Sequence, residues 1–85
     1  MSASIWKELF RQNEWWRDEM IVKPEAFQMH IFLKYNSGFQ VDIDNSVYAS
    51  EEFLIVVKNK GTIKHTSYYA WDDVCRVELV DDEYQ

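Results

Sequence analysis

Cysteine, glycine and proline are nearly missing from this chain, and each scarcity removes a class of explanation. Cys75 is the only cysteine, so no disulfide can form within the chain. One cysteine and two distant histidines, His30 and His65, give none of the ligand spacings of a structural zinc. With only Gly38 and Gly61 there is no glycine-rich phosphate loop, and no Ser, Cys or Thr stands in a recognisable nucleophile motif. The sequence therefore reads as that of a non-enzyme with no metal and no cofactor. No apolar run approaches the roughly 20 residues that span a bilayer, and no signal-peptide pattern opens the sequence. The expectation is a cytoplasmic protein with no membrane partner.

Positive charge is also scarce. Nine Lys and Arg stand against fifteen Asp and Glu, a formal charge of −6. Polyanions bind where Lys and Arg displace condensed counterions, so this balance argues against broad nucleic-acid binding. It leaves room for a local basic or aromatic pocket, or for a basic protein partner.

What the chain has in plenty is aromatic surface, with four Trp, five Tyr and five Phe among 85 residues. A chain of this length makes one domain, and it buries only about 60% of its unfolded surface. Small domains compensate with disulfides, a metal or association. With the first two set aside, association is the route left, and large flat side chains suit an interface as well as a core.

Residues 1–23 read as a helix and connector. Ser2 or Ser4 can cap it, and Ile5, Leu9, Trp16 and Met20 fall near one helical face, widened by Trp6 and Phe10. Asn13 interrupts that face, which would leave residues 14–20 as a second turn or loop. Pro24 ends whatever helix remains. From there the apolar period becomes two. Phe27, Met29, Ile31, Leu33 and Tyr35 make a half-buried strand, and Asn36-Ser37-Gly38 reads as its turn. Phe39, Val41 and Ile43 alternate in a second strand that continues toward Val47 and Tyr48. Residues 53–57 form an unbroken apolar run, as in a strand covered on both faces. Asn59-Lys60-Gly61 marks another hairpin turn, residues 62–71 alternate again, and Asp72-Asp73 interrupts them. Cys75, Val77 and Leu79 form the inward side of a last strand. The expected architecture is mostly β with one N-terminal helix, a strongly bent, five-stranded antiparallel small barrel over residues 25–80, and an acidic tail over residues 81–85.

Residues 31–60, IFLKYNSGFQVDIDNSVYASEEFLIVVKNK, resemble the first motif of the Sm-like family, the LSm and Hfq type. FLIVVKNK matches its third strand, and Gly38 fits its turn glycine. Residues 68–80, YYAWDDVCRVELV, stand in place of the second motif, although Trp71-Asp72-Asp73 replaces the basic turn of that family. An SH3-like barrel is the alternative fold. The resemblance implies a cyclic homo-oligomer of about five to seven copies joined edge to edge. It also implies a chaperone or scaffold for single-stranded RNA.

On that reading Tyr48 and Trp71 stack bases, while Lys58, Lys60, Lys64 and His65 meet phosphates or line a pore. Tyr68, Tyr69, Cys75, Val77 and Leu79 form the subunit interface. Each has a plainer reading beside it: a core ring, a solubilising lysine, a surface histidine. Asp42 and Asp44, two apart on one strand face, could hold a divalent cation or simply be solvated. Trp15 and Trp16 would point about 100° apart on a helix, leaving one exposed to a partner. The alternative function is an acidic protein-binding adaptor or inhibitor on the same barrel, without RNA activity.

Overall fold

The computed structural model describes residues 5–41 and 45–81. Helix α1, Ile5–Gln12, turns Phe10 fully into the core. It stops where the sequence loses its apolar face. Glu14 takes a left-handed φ of 61°, its N–H donates to the Arg11 carbonyl, and the Trp15 N–H donates back to the Phe10 carbonyl at 2.8 Å. That pair of bonds is a Schellman ending, and the Trp15 ring closes it edge-on against Phe10 at 5.4 Å.

Beyond the helix the structure departs from the expected turn or loop. Residues 14–20 hold most of a small hairpin, β1 (Trp16–Arg17) and β2 (Met20–Ile21), turned by Asp18 at φ 55°. Trp16 and Met20 thus share a hairpin and not a helical face. Met20 pairs with Tyr48 across the sheet, and Ile21 enters the core.

β3 (Phe27–Leu33) follows the alternation read from sequence, with Met29, Ile31 and Leu33 buried. The turn after it is Lys34-Tyr35, earlier than Asn36-Ser37-Gly38, because β4 (Asn36–Val41) already begins at Asn36 opposite Leu33. Gly38 serves a bulge. Ser37 and Gly38 together face the single residue Phe32, and Gly38 adopts φ 90°. A Cβ there would stand 2.1 Å from the Ile31 carbonyl oxygen, so the position admits only glycine.

The remaining strands are β5 (Asn45–Ala49), β6 (Phe53–Lys60), β7 (Ile63–Ala70) and β8 (Val74–Asp81), with a 3-10 turn at Trp71–Asp73. β6 is not covered on both faces as its apolar run implied. Leu54 and Val56 are buried, whereas Phe53 is 41% exposed. In β8 the inward residues are Val74 and, in part, Val77. Cys75 is exposed because a register shift opposite Phe32 and Leu33 puts it out of phase. Asp81 belongs to β8, opposite Phe27. Residues 82–85 of the expected tail, Ser2 and Ser4, and Asp42, Ile43 and Asp44 lie outside the described residues.

The eight strands form two antiparallel sheets, ordered β1-β2-β5-β6-β7 and β4-β3-β8. The sheets stay open and do not close into the expected barrel. One apolar cluster joins them, with Ile31 and Met29 from one sheet, Val47 and Leu54 from the other, and Phe10 and Trp71 at one end. Among the described residues β7 pairs only with β6, and β8 only with β3, so each keeps one edge of its backbone unpaired.

Candidate functional site

Alternation within the β6–β7 hairpin decides which of its side chains meet. Gly61, at φ 61°, and Thr62 make a two-residue turn, which places Lys60 opposite Ile63 and Lys58 opposite His65. Leu54 and Val56 point into the core, so Lys58 and Lys60 lie on the same inner face farther out, facing His65 and Ile63. Lys64 lies on the outer face. Past Val57 every residue of the hairpin as far as Thr66 is exposed, so its outer half projects beyond the core. Residues 53–70 carry three lysines and no carboxylate, in a chain whose formal charge is −6.

The inner face of that projecting half borders a cleft of about 190 Å³. Lys58, His65 and Ser67 line it from the hairpin. Ser37, Gly38 and Phe39 line it from β4. Three consecutive residues of a regular strand would point to alternate sides. The bulge at Ser37-Gly38 breaks that alternation and brings all three to one surface. Tyr69 joins them, its ring stacked on Phe39 with centroids 5.6 Å apart. Among the described residues no carboxylate lines the cleft, and neither the Lys58 nor the His65 side chain has a hydrogen-bond or ion-pair partner.

Tyr48 sits elsewhere, on the outer face of the larger sheet. Cross-strand register sets Met20, Tyr48, Ile55 and Tyr68 in one row. Tyr48 is 36% exposed and Tyr68 64%, and Phe53 meets Tyr68 edge-on at 6.1 Å. Lys64 shares this outer face. Tyr48 and Lys64 thus share one sheet face with Tyr68, a ring that sequence had placed at the subunit interface. Lys58 and His65 form a separate group behind them.

Trp71 belongs to neither group. It is 2% exposed, packed edge-on against Phe10 at 5.4 Å and tilted against Trp16 at 5.3 Å, and its indole N–H donates to the Ser50 carbonyl at 2.9 Å. No ring face remains on which a base could stack. Trp15 and Trp16 are both partly buried in the same aromatic cluster. The expected free tryptophan is absent because the chain there is a hairpin, and Arg11 covers Trp16 with its guanidinium 4.3 Å from the ring.

Around this end the turns carry acid. Ser50 Oγ accepts the N–H groups of Glu52 and Phe53, and the Trp71 bond to the Ser50 carbonyl ties this turn to the 3-10 turn with Asp72 and Asp73. Helix α1 docks there through Lys7, which donates to the Glu51 carbonyl at 2.9 Å, and through Arg11, paired with the Glu51 carboxylate.

Of the other expected interface residues, Cys75 is exposed, Val77 packs against the core, and Leu79 is 38% exposed. His30 is half-buried and stacks on Phe32 at 6.2 Å on the outer side of the smaller sheet. Among the described residues no three His, Cys, Asp or Glu converge as a metal site would require. Nor, among the described residues, is any helix long and apolar enough to cross a membrane.

No protein-family model, curated protein or solved structure matches this chain. Its function must be argued from its own surfaces.

The sequence put Lys58 and His65 in one phosphate-meeting set and Tyr69 at the subunit interface, but did not set Lys58 directly opposite His65 or join Tyr69 to them. The signal was present in the position of Gly61, since a two-residue turn there fixes Lys58 against His65. The contribution of β4 carried no such signal, because the bulge residues read as a turn.

Proposed function

We propose that the chain is an Sm-like subunit that assembles edge to edge into a ring and binds single-stranded RNA. The observation that carries this reading is the state of β7. Among the described residues its outer backbone edge is unpaired, and the hairpin it belongs to holds three lysines and no carboxylate. Unpaired edges of eight-residue strands are a template for another strand. Pairing β7 of one copy with β8 of the next would satisfy both edges and repeat around a closed ring.

The strand order supports the same reading. A central strand β3 pairs with β4 and β8, while β5, β6 and β7 follow as consecutive hairpin partners. Tyr48 and Tyr68 offer exposed ring faces on one sheet surface, and such platforms bind bases without sequence preference at about 1–3 kcal/mol each. Lys58, Lys60 and Lys64 supply the charge for phosphates. Trp71 has no part in this scheme.

Fluorescence anisotropy with U-rich and A-rich oligonucleotides at low salt tests it, beside light scattering with and without nuclease. A purified ring that binds neither oligonucleotide removes the RNA assignment.

A second reading rests on the acidic end. Glu51, Glu52, Asp72 and Asp73 crowd two adjoining turns, where a basic protein surface could dock. Reversing Glu52, Asp72 and Asp73 to lysine would abolish binding to such a partner and leave binding of RNA at the hairpin intact or strengthened. An RNA affinity that falls with this reversal counts against the adaptor reading.

A further inference from the structure

We infer that the cleft between β4 and the β6–β7 hairpin is a binding site for a single phosphoryl group, with Lys58 as its principal cation. The inference concerns the inner face of the hairpin; it shares Lys58 with the RNA reading but needs neither the ring nor the rings of the outer face.

Four features of the cleft agree. Lys58, His65 and the hydroxyl-bearing Ser37, Ser67 and Tyr69 line it, with no carboxylate among its described lining residues. In a chain of −6 charge this is a local reversal of sign. Lys58 and His65 are direct cross-strand partners, which sets their Cβ atoms about 4.5–5.5 Å apart. Two donors at that spacing, with no side-chain partner among the described residues, can share one acceptor such as a phosphate oxygen.

The bulge supplies the third feature. It brings Ser37 and Gly38 to the rim, and a glycine lets a ligand approach the backbone closely. Size is the fourth. At about 190 Å³ the cleft is smaller than the roughly 300–1,000 Å³ that encloses a drug-sized ligand. It admits a phosphoryl group while whatever is attached remains outside.

Such a group can come from free phosphate or from the terminal phosphate of a nucleotide, and the test separates them. The full-length protein, labelled with nitrogen-15, is titrated with inorganic phosphate, with uridine 5′-monophosphate and with uridine. Saturable shifts of the Gly38 and Ser67 amides with the two phosphates, and none with uridine, are expected. Equal affinity for both points to free phosphate. A clear preference for the monophosphate points to a nucleotide end.

Lys58→Gln should weaken phosphate binding on the order of tenfold, the loss of one charge-assisted hydrogen bond. Arg17→Gln removes the same charge from β1 at the opposite edge of the sheet and should leave the affinity unchanged. No saturable shift with either phosphate overturns the inference, as does an equal response to uridine or equal weakening by the two variants. An oligonucleotide without a terminal phosphate, measured on the same samples, reports on RNA binding separately.

Discussion

Replacing Gly38 with alanine should destabilise the fold far more than the same change at Gly61, although both glycines have positive φ. At Gly61, φ is 61° and nothing lies within 4 Å of an added Cβ, so the penalty is the left-handed conformation alone, about 1–2 kcal/mol. At Gly38, φ is 90° and the added Cβ would lie 2.1 Å from the Ile31 carbonyl oxygen and 2.9 Å from the Phe32 Cα. Both are backbone atoms of the central strand of the smaller sheet, so neither can rotate away. Relief requires separating β3 from β4 and giving up part of that ladder, which raises the penalty to about 3–5 kcal/mol. Against a total of roughly 0.05–0.15 kcal/mol per residue, that is a large share of the stability of so small a domain. Urea unfolding followed by tryptophan fluorescence measures both variants. With a slope of about 1.3 kcal/mol/M, Gly38→Ala should lower the midpoint by roughly 2–4 M and Gly61→Ala by roughly 0.8–1.5 M. Equal midpoints would refute the bulge geometry and the shape of the cleft that depends on it.

The C-terminal end of helix α1 offers a change in the opposite direction. Glu14 occupies the left-handed position of the helix ending, so Glu14→Gly should raise stability by about 0.5–1 kcal/mol in the same assay, its exposed pair with Arg17 counting for little. Trp71→Ala should lower stability by about 3–5 kcal/mol, because it removes the ring that packs against both Phe10 and Trp16 and takes away the indole N–H donated to the Ser50 carbonyl. A shift under about 1 kcal/mol would show that the aromatic cluster does not hold the helix down. For RNA, three lysines on phosphates predict a slope of log affinity against log salt of about −2, flattened by about 0.7 in Lys64→Ala. Anisotropy titrations at several salt concentrations read that slope directly.

The parts of the fold legible in sequence were those set by local pattern. β3 alternates cleanly because it is central in its sheet, with one face in the core. Asn59-Lys60-Gly61 announced its hairpin because a tight turn needs the backbone freedom of Gly61. The hairpin Trp16–Ile21 was not legible. Its strands are two residues long, its turn is Asp18-Glu19 rather than a glycine turn, and pairing of Met20 with Tyr48 holds it in place. Residues at helical spacing, Trp16 and Met20, therefore imitated a face that does not exist. Gly38 misled for a related reason, since a bulge and a turn both require a residue free to take positive φ.

Site residues divided in the same way. Lys58 and His65 follow from hairpin register and could be read. Trp71 could not, because its burial depends on Phe10 and Trp16 arriving from the far end of the chain. Its neighbouring carboxylates had made it look like part of an exposed turn.

Everything proposed about assembly depends on the free sides of β7 and β8 being completed by neighbouring copies. Light scattering of nuclease-treated protein measures this most directly. The account predicts a particle of about five to seven times the 10.3 kDa chain mass, stable on dilution. A particle of one chain mass at every concentration would contradict it.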